Sequence, residues 1–193
     1  MPVSLSTDIA DRLRAELRAH VQLGRELART GGEDGRPPLV AVERWRFTAQ
    51  SLARRGLVDG HPALACFDDH CYRGLLDRRR FERGVDLFEA AARAIDEGGL
   101  AFRVGVTREL LYDIVLASDD VPETALDGAL WAAMGCLATV AGVRGPGEHP
   151  NRTVLSNRLV QEGLIPATLA QQVSSGEREV ARSGAAGLLD ALN

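Results

Sequence analysis

Over most of this chain the apolar residues recur every three to four positions, the spacing of one face of a helix. At the N-terminal end Ile9, Leu13, Leu17, Val21 and Leu27 keep this spacing, with Arg12, Arg14, Arg18 and Arg25 mostly on the other side. Ser6 or Thr7 can cap that helix, Asp8 and Asp11 suit its positive end, and Gly31 follows its last turn. The breaker-rich stretch 30–38 is a loop. A second helix is predicted from about Val40 to Arg55, with Val42, Trp45, Ala49 and Leu52 inward and Gly56 as its stop. His61-Pro62 opens a segment carrying Leu64, Phe67, Cys71 and Leu75, and Phe81, Val85, Phe88, Ala92 and Ile95 define a helix over 78–97 that ends at Gly98-Gly99.

The stretch 100–106 alternates instead, with Leu100, Phe102, Val104 and Val106 set against Ala101, Arg103 and Gly105. Alternation is strand-like, but no partner strand is in sight, so a short extended connector is expected there. Thr107 then caps a helix carrying Leu110, Leu111, Ile114 and Val115. Pro122 suits the start of the next helix, which runs to about Val143 and carries no charge from Gly128 onward. A helix that is apolar all round is expected to be buried all round, as the central helix of the fold. Gly128, Gly135 and Gly142 recur every seven residues along it, so a neighbouring helix backbone, or a ligand lying flat, is expected against that line. Helices follow at Pro150–Glu162, Pro166–Ser174 and Glu177–Leu192.

These elements predict an all-α chain, a single globular multi-helix bundle over 1–193 with about eight or nine helices around the helix at 122–143. Composition agrees: 45% of the 193 residues are hydrophobic and only 5% aromatic, with Ala and Leu prominent. All 23 basic residues are Arg, which points to a GC-rich, bacterial coding bias. The net charge of −4 makes nucleic acid an unlikely partner. Three cysteines, no apparent leader and no long apolar run imply a cytoplasmic protein outside the membrane.

The densest chemical cluster is His61, Cys66, Asp68, Asp69, His70 and Cys71. Cys66 and His70 share a helix face, which suits zinc, but the paired Cys and paired His spacings of structural sites are missing. The expectation is therefore no metal and no cofactor, with Cys66, Asp68, Asp69 and His70 as weak metal candidates and Cys66 packed on the apolar face. Phe67-Asp68-Asp69 superficially resembles the start of the aspartate-rich motif of class I terpene synthases. Tyr72 stands where a further Asp would complete it, and no second metal motif follows, so that family is rejected.

The loop 144–152 has richer surroundings. Arg144, Glu148, His149, Asn151 and Arg152 follow a rigid helix and precede Pro150-initiated helical turns, a placement that suits a small anionic ligand. Arg144, Asn151 and Arg152 are the candidate ligand-binding residues, with His149 and Glu148 as candidate catalytic groups. Leu164–Leu189 has some helix-turn-helix spacing, but its second helix offers only Arg178 and Arg182 to DNA. No phosphate loop, dinucleotide turn, zinc-protease motif or nucleophile elbow is present, which leaves catalysis an open question. The favoured expectation is a non-catalytic interaction or regulatory module that binds a protein partner or self-associates. The alternatives are a small helical enzyme or ligand-binding protein with a pocket near 144–152, and DNA binding by the C-terminal helices.

Overall fold

The computed structural model describes residues 5–30, 37–75, 77–145, 148–174 and 177–192. They are all-α, with no strand among the described residues. Most of the predicted loop at 30–38, residues 31–36, lies outside them. The chain divides into two compact units, Asp11–Leu100 and a second formed by Met1–Ala10 with Ala101–Asn193.

The 11–100 unit is built from α1 (Leu5–Arg29), most of which belongs to it, α2 (Leu39–Gly56), α3 (Pro62–Tyr72) and α4 (Arg78–Ala94). Helix α1 starts ahead of the expected cap, so Ser6 and Thr7 fall inside it. Helices α3 and α4 are capped by side chains: His61 Nδ1 accepts from Ala63 N at 3.2 Å and Asp77 Oδ1 from Arg80 N at 2.9 Å. The predicted stop at Gly98-Gly99 is real. A π turn over Ile95–Gly99 follows α4, with Gly98 outside helical geometry.

Trp45 of α2 sits at the heart of this unit, 1% exposed. Its indole meets Phe67, Phe81 and Phe88 edge-on at 6.2, 5.1 and 5.7 Å and stacks on His20 at 5.5 Å with the rings 6° from parallel. Trp45 Nε1 donates to the His20 carbonyl at 3.0 Å, and His20 Nε2 donates to the Trp45 carbonyl at 2.8 Å. A carbonyl can only accept, so the second bond fixes the tautomer of His20. The buried line of α1 therefore runs through Leu13, Leu17, His20, Gly24 and Ala28, whereas Val21 and Leu27 are only half-buried. Gly24 is required by this packing, because a Cβ there would lie 2.7 Å from Trp45 Nε1 and 2.8 Å from Val85. At the edge, Arg14 reaches Asp96 (2.8 Å) and Arg25 reaches Asp86 and Glu89 (2.8 and 2.7 Å), fastening α1 to α4 and the turn that follows it.

Burial holds the His20 imidazole below its ordinary pKa of 6.5, partly offset by the bond to the Trp45 carbonyl. The unfolded chain then binds more protons than the folded one once the pH falls through about 6.5, so stability declines below that point. Urea unfolding should give a lower midpoint at about pH 5.5 than at about pH 7.5, and His20→Gln should flatten that difference. An equal pH dependence in native protein and variant would remove His20 as its source.

The other unit comprises α5 (Leu100–Leu116), α6 (Glu123–Val140), α7 (Arg152–Gln161), α8 (Ala167–Ser174) and α9 (Arg178–Leu192). Residues 100–106 are not an extended connector but the first turns of α5. The alternation there coexists with helical spacing: Leu100, Thr107, Leu111 and Ile114 are buried on one side while Phe102 is left in solvent. A lone extended strand would leave its backbone donors and acceptors unpaired, which the helix avoids. Thr107 is accordingly inside the helix, with Oγ1 donating to the Arg103 carbonyl at 3.1 Å.

Helix α6 forms much of this unit's core through Leu126, Leu130, Ala133, Met134, Leu137, Ala138 and Val140. It is not buried on every side, since Gly128 and Ala132 are exposed. The glycine line also has no single explanation. Gly128 faces open space, and Gly135 lies under the Arg144 side chain rather than a helix backbone. Gly142, at φ 76°, ends the helix: its N–H reaches the Thr139 carbonyl at 3.1 Å and Val143 N reaches the Ala138 carbonyl at 2.9 Å. That pair of bonds is the Schellman stop, which favours glycine in the left-handed region. Helices α7, α8 and α9 pack in sequence, and α9 returns onto α6, with Ala181, Ala185 and Leu188 among its buried residues.

Candidate functional site

The Schellman turn reverses the chain after α6 and sends Arg144 back along the helix it has just left. A Cβ on Gly135 would lie 2.8 Å from Arg144 Nη1, so the missing side chain is what lets the guanidinium lie on α6. Arg144 Nε donates to the Glu148 carbonyl at 2.6 Å, and Arg144 Nη2 donates to His149 Nδ1 at 3.2 Å. With Nδ1 accepting, the ring hydrogen of His149 is on Nε2. Among the described residues Arg144 forms no ion pair and no acceptor meets its Nη1, although its charge helps to hold the Glu148 carboxyl below the usual range.

The opposite side of the site is the start of α7. Asn151 caps that helix, its Oδ1 accepting from Val154 N at 2.9 Å, which leaves the amide nitrogen of the side chain as a donor. Arg152 forks onto both carboxylate oxygens of Asp127, from α6, and its guanidinium stands 5.7 Å from the centre of the Trp131 ring. The bond to Arg152 holds the Asp127 carboxyl below its ordinary range and raises Arg152, so this pair is charged but internally neutral.

Trp131, Arg144, His149, Pro150, Asn151 and Arg152 together line a cavity of about 380 Å³. That is within the range of about 300–1,000 Å³ typical of small-molecule sites. The four candidates Arg144, His149, Asn151 and Arg152 thus converge on one concave surface, with Trp131 of α6 as its wall. Glu148 does not line it. Its carboxylate accepts from Gly145 N at 3.0 Å and pairs with Arg158 at 2.9 Å, and these bonds hold it below the usual carboxylate range. These bonds anchor the loop. Residues 146 and 147 of this loop lie outside the described residues.

The metal candidates do not converge in this way. Asp68 is held by Gln50 (2.9 Å) and Arg54 (2.6 Å), Asp69 by Arg73 (2.9 Å), and His70 Nε2 donates to the Arg80 carbonyl at 2.8 Å. Cys66 is exposed, not packed on the apolar face; Leu64, Phe67 and Cys71 occupy that face, and burial pushes the Cys71 thiol up to about 12. Among the described residues no three His, Cys, Asp or Glu side chains are grouped to hold a metal ion. The two arginines of the suspected DNA-reading helix are also engaged. Arg178 donates to the Ser118 and Val121 carbonyls, and Arg182 donates to the Ala117 carbonyl and pairs with Asp119.

No family model, curated protein or solved structure matches this chain. Sequence reasoning missed Asp127 and Trp131. The signal for Asp127 was its place as the last charge before the uncharged stretch that begins at Gly128, one helix ahead of an arginine that needed a partner. No described helix is long and apolar enough to cross a membrane.

Proposed function

We propose that this protein binds a small anionic ligand in the cavity between α6 and the start of α7, without catalysing its conversion. The observation that supports this is Arg144: a cation in no ion pair among the described residues, lining a cavity beside an indole wall. A guanidinium outside any ion pair in a concave site is best satisfied by an oxyanion, which accepts from its remaining N–H groups. Binding is favoured over catalysis because the lining contains no hydroxyl or thiol nucleophile and no carboxylate to orient His149. Free cysteines and an Arg-only basic set fit a reducing bacterial cytoplasm as the setting.

Trp131 provides the test. It is half-buried in the cavity wall, while the other tryptophan, Trp45, is enclosed in the 11–100 core. Titration with small aromatic carboxylates and phosphates should change Trp131 fluorescence saturably, and Trp131→Phe should abolish the signal. A panel that leaves the emission unchanged, together with calorimetry showing no heat of binding, would remove the proposal.

A second function, self-association or capture of a protein partner, is supported by the outward side of α5. Phe102, Tyr112 and Leu116 are 58%, 49% and 78% exposed there. Sedimentation over a range of concentrations decides it: a dimer lost on Leu116→Glu would support it, and a monomer throughout would rule out self-association.

A further inference from the structure

The charges and hydrogen-bonding capacities around the cavity narrow the ligand further, on the assumption that the anion site proposed above is real. Counting the ionised groups gives one net positive charge. Arg152 is cancelled by Asp127 through two parallel bonds, and the neighbouring Glu148 is cancelled by Arg158. His149 contributes a ring whose Nδ1 already accepts from Arg144. What remains is the charge of Arg144, which is in no ion pair among the described residues although it also acts on the Glu148 carboxylate.

Among the described residues, the hydrogen-bonding groups still free on the lining side chains are donors throughout. They are Arg144 Nη1, the Nε2–H of His149, the indole N–H of Trp131 and the side-chain amide nitrogen of Asn151, whose oxygen is committed to Val154 N. No free acceptor faces them from the lining side chains, so a ligand that must donate gains little here. Trp131 supplies an aromatic face, already flanked on one side by the Arg152 guanidinium.

We infer that the cavity selects a singly charged carboxylate attached to a flat aromatic ring, and discriminates against a doubly charged phosphate monoester of the same size. The carboxylate meets Arg144, whose charge it matches one for one, and the ring lies against Trp131. A dianion would carry a second charge that no cation in the site answers, next to the Asp127 carboxylate already attached to Arg152. Asp127 is in this sense a positioning residue for specificity: it reaches the ligand only through Arg152.

The test compares phenylacetate with phenyl phosphate on the full chain, by calorimetry at about pH 8, where a phosphate monoester carries its second charge. The native protein should favour phenylacetate by about tenfold or more. Asp127→Asn removes the neutralising charge and frees Arg152, so the preference should shrink or reverse. Equal affinities, or tighter binding of the phosphate by native protein, would overturn the charge-matching inference and leave the anion site standing. An unchanged preference in a folded Asp127→Asn protein, checked by circular dichroism, would overturn it too. If neither compound binds, the anion site itself fails and the inference falls with it. Should the variant not fold, the native comparison decides alone.

Discussion

Trp45→Ala should cost the 11–100 unit about 3–5 kcal/mol, the largest loss expected from any single substitution in it. The indole is 1% exposed and is the one ring that touches Phe67, Phe81, Phe88 and His20 together. Its removal opens a cavity that helices cannot close without moving their backbones. It also strips His20 of its stacking partner and deletes the bond to the His20 carbonyl, leaving a polar ring in an apolar void. Against a typical total stability of about 5–15 kcal/mol, this brings the unit close to unfolding. Urea denaturation followed by circular dichroism measures it, and Trp45→Phe should fall between native and alanine because it keeps part of the ring. A loss under about 1 kcal/mol would mean that the aromatic cluster is not the organising core.

Arg144→Ala should weaken binding of a small aromatic carboxylate by about ten- to a hundredfold, the about 1.5–3 kcal/mol of a hydrogen bond to a charged group. Stability should change by only about 0.5–1 kcal/mol, because Arg144 bonds only to loop backbone and His149 and lies half-exposed over Gly135 on the surface of α6. The separation of the two effects is the diagnostic feature. Arg144→Lys keeps the charge but loses the fork and should recover part of the affinity. An alanine variant that binds as well as native protein would shift attention to Arg152, whose loss would in addition leave Asp127 without a partner.

What was legible in the sequence follows from what each residue can do in only one way. Phe81, Val85 and Phe88 at helical spacing have no stable place except inside, and they are inside. His20 and Gly24 were not legible as core, because a polar ring and a glycine do not mark an apolar face. Only the three-dimensional fit to Trp45 explains them. The line of Gly128, Gly135 and Gly142 misled because one residue type serves three ends: open surface, room for Arg144, and a left-handed helix stop. Residues 100–106 misled because alternation and helical spacing overlap over so short a stretch, and pairing, not pattern, decides between them.

At the site, the sequence pointed to the 144–152 loop because a rigid helix precedes it and a capped helix follows it. Arg144, His149, Asn151 and Arg152 do meet there. Which cation stays unneutralised could not be read, since that depends on Asp127 reaching Arg152 across 25 positions of chain, and on Glu148 turning away to Arg158.

The most direct measurement is nitrogen–proton NMR of the two tryptophan indole N–H signals during titration with phenylacetate and with phenyl phosphate. Occupation of the α6–α7 cavity predicts that the Trp131 signal moves saturably with at least one of them, while that of Trp45, bonded to the His20 carbonyl in the other unit's core, stays in place. A Trp131 signal that stays fixed at saturating concentrations of both, or two signals that drift together, would contradict it.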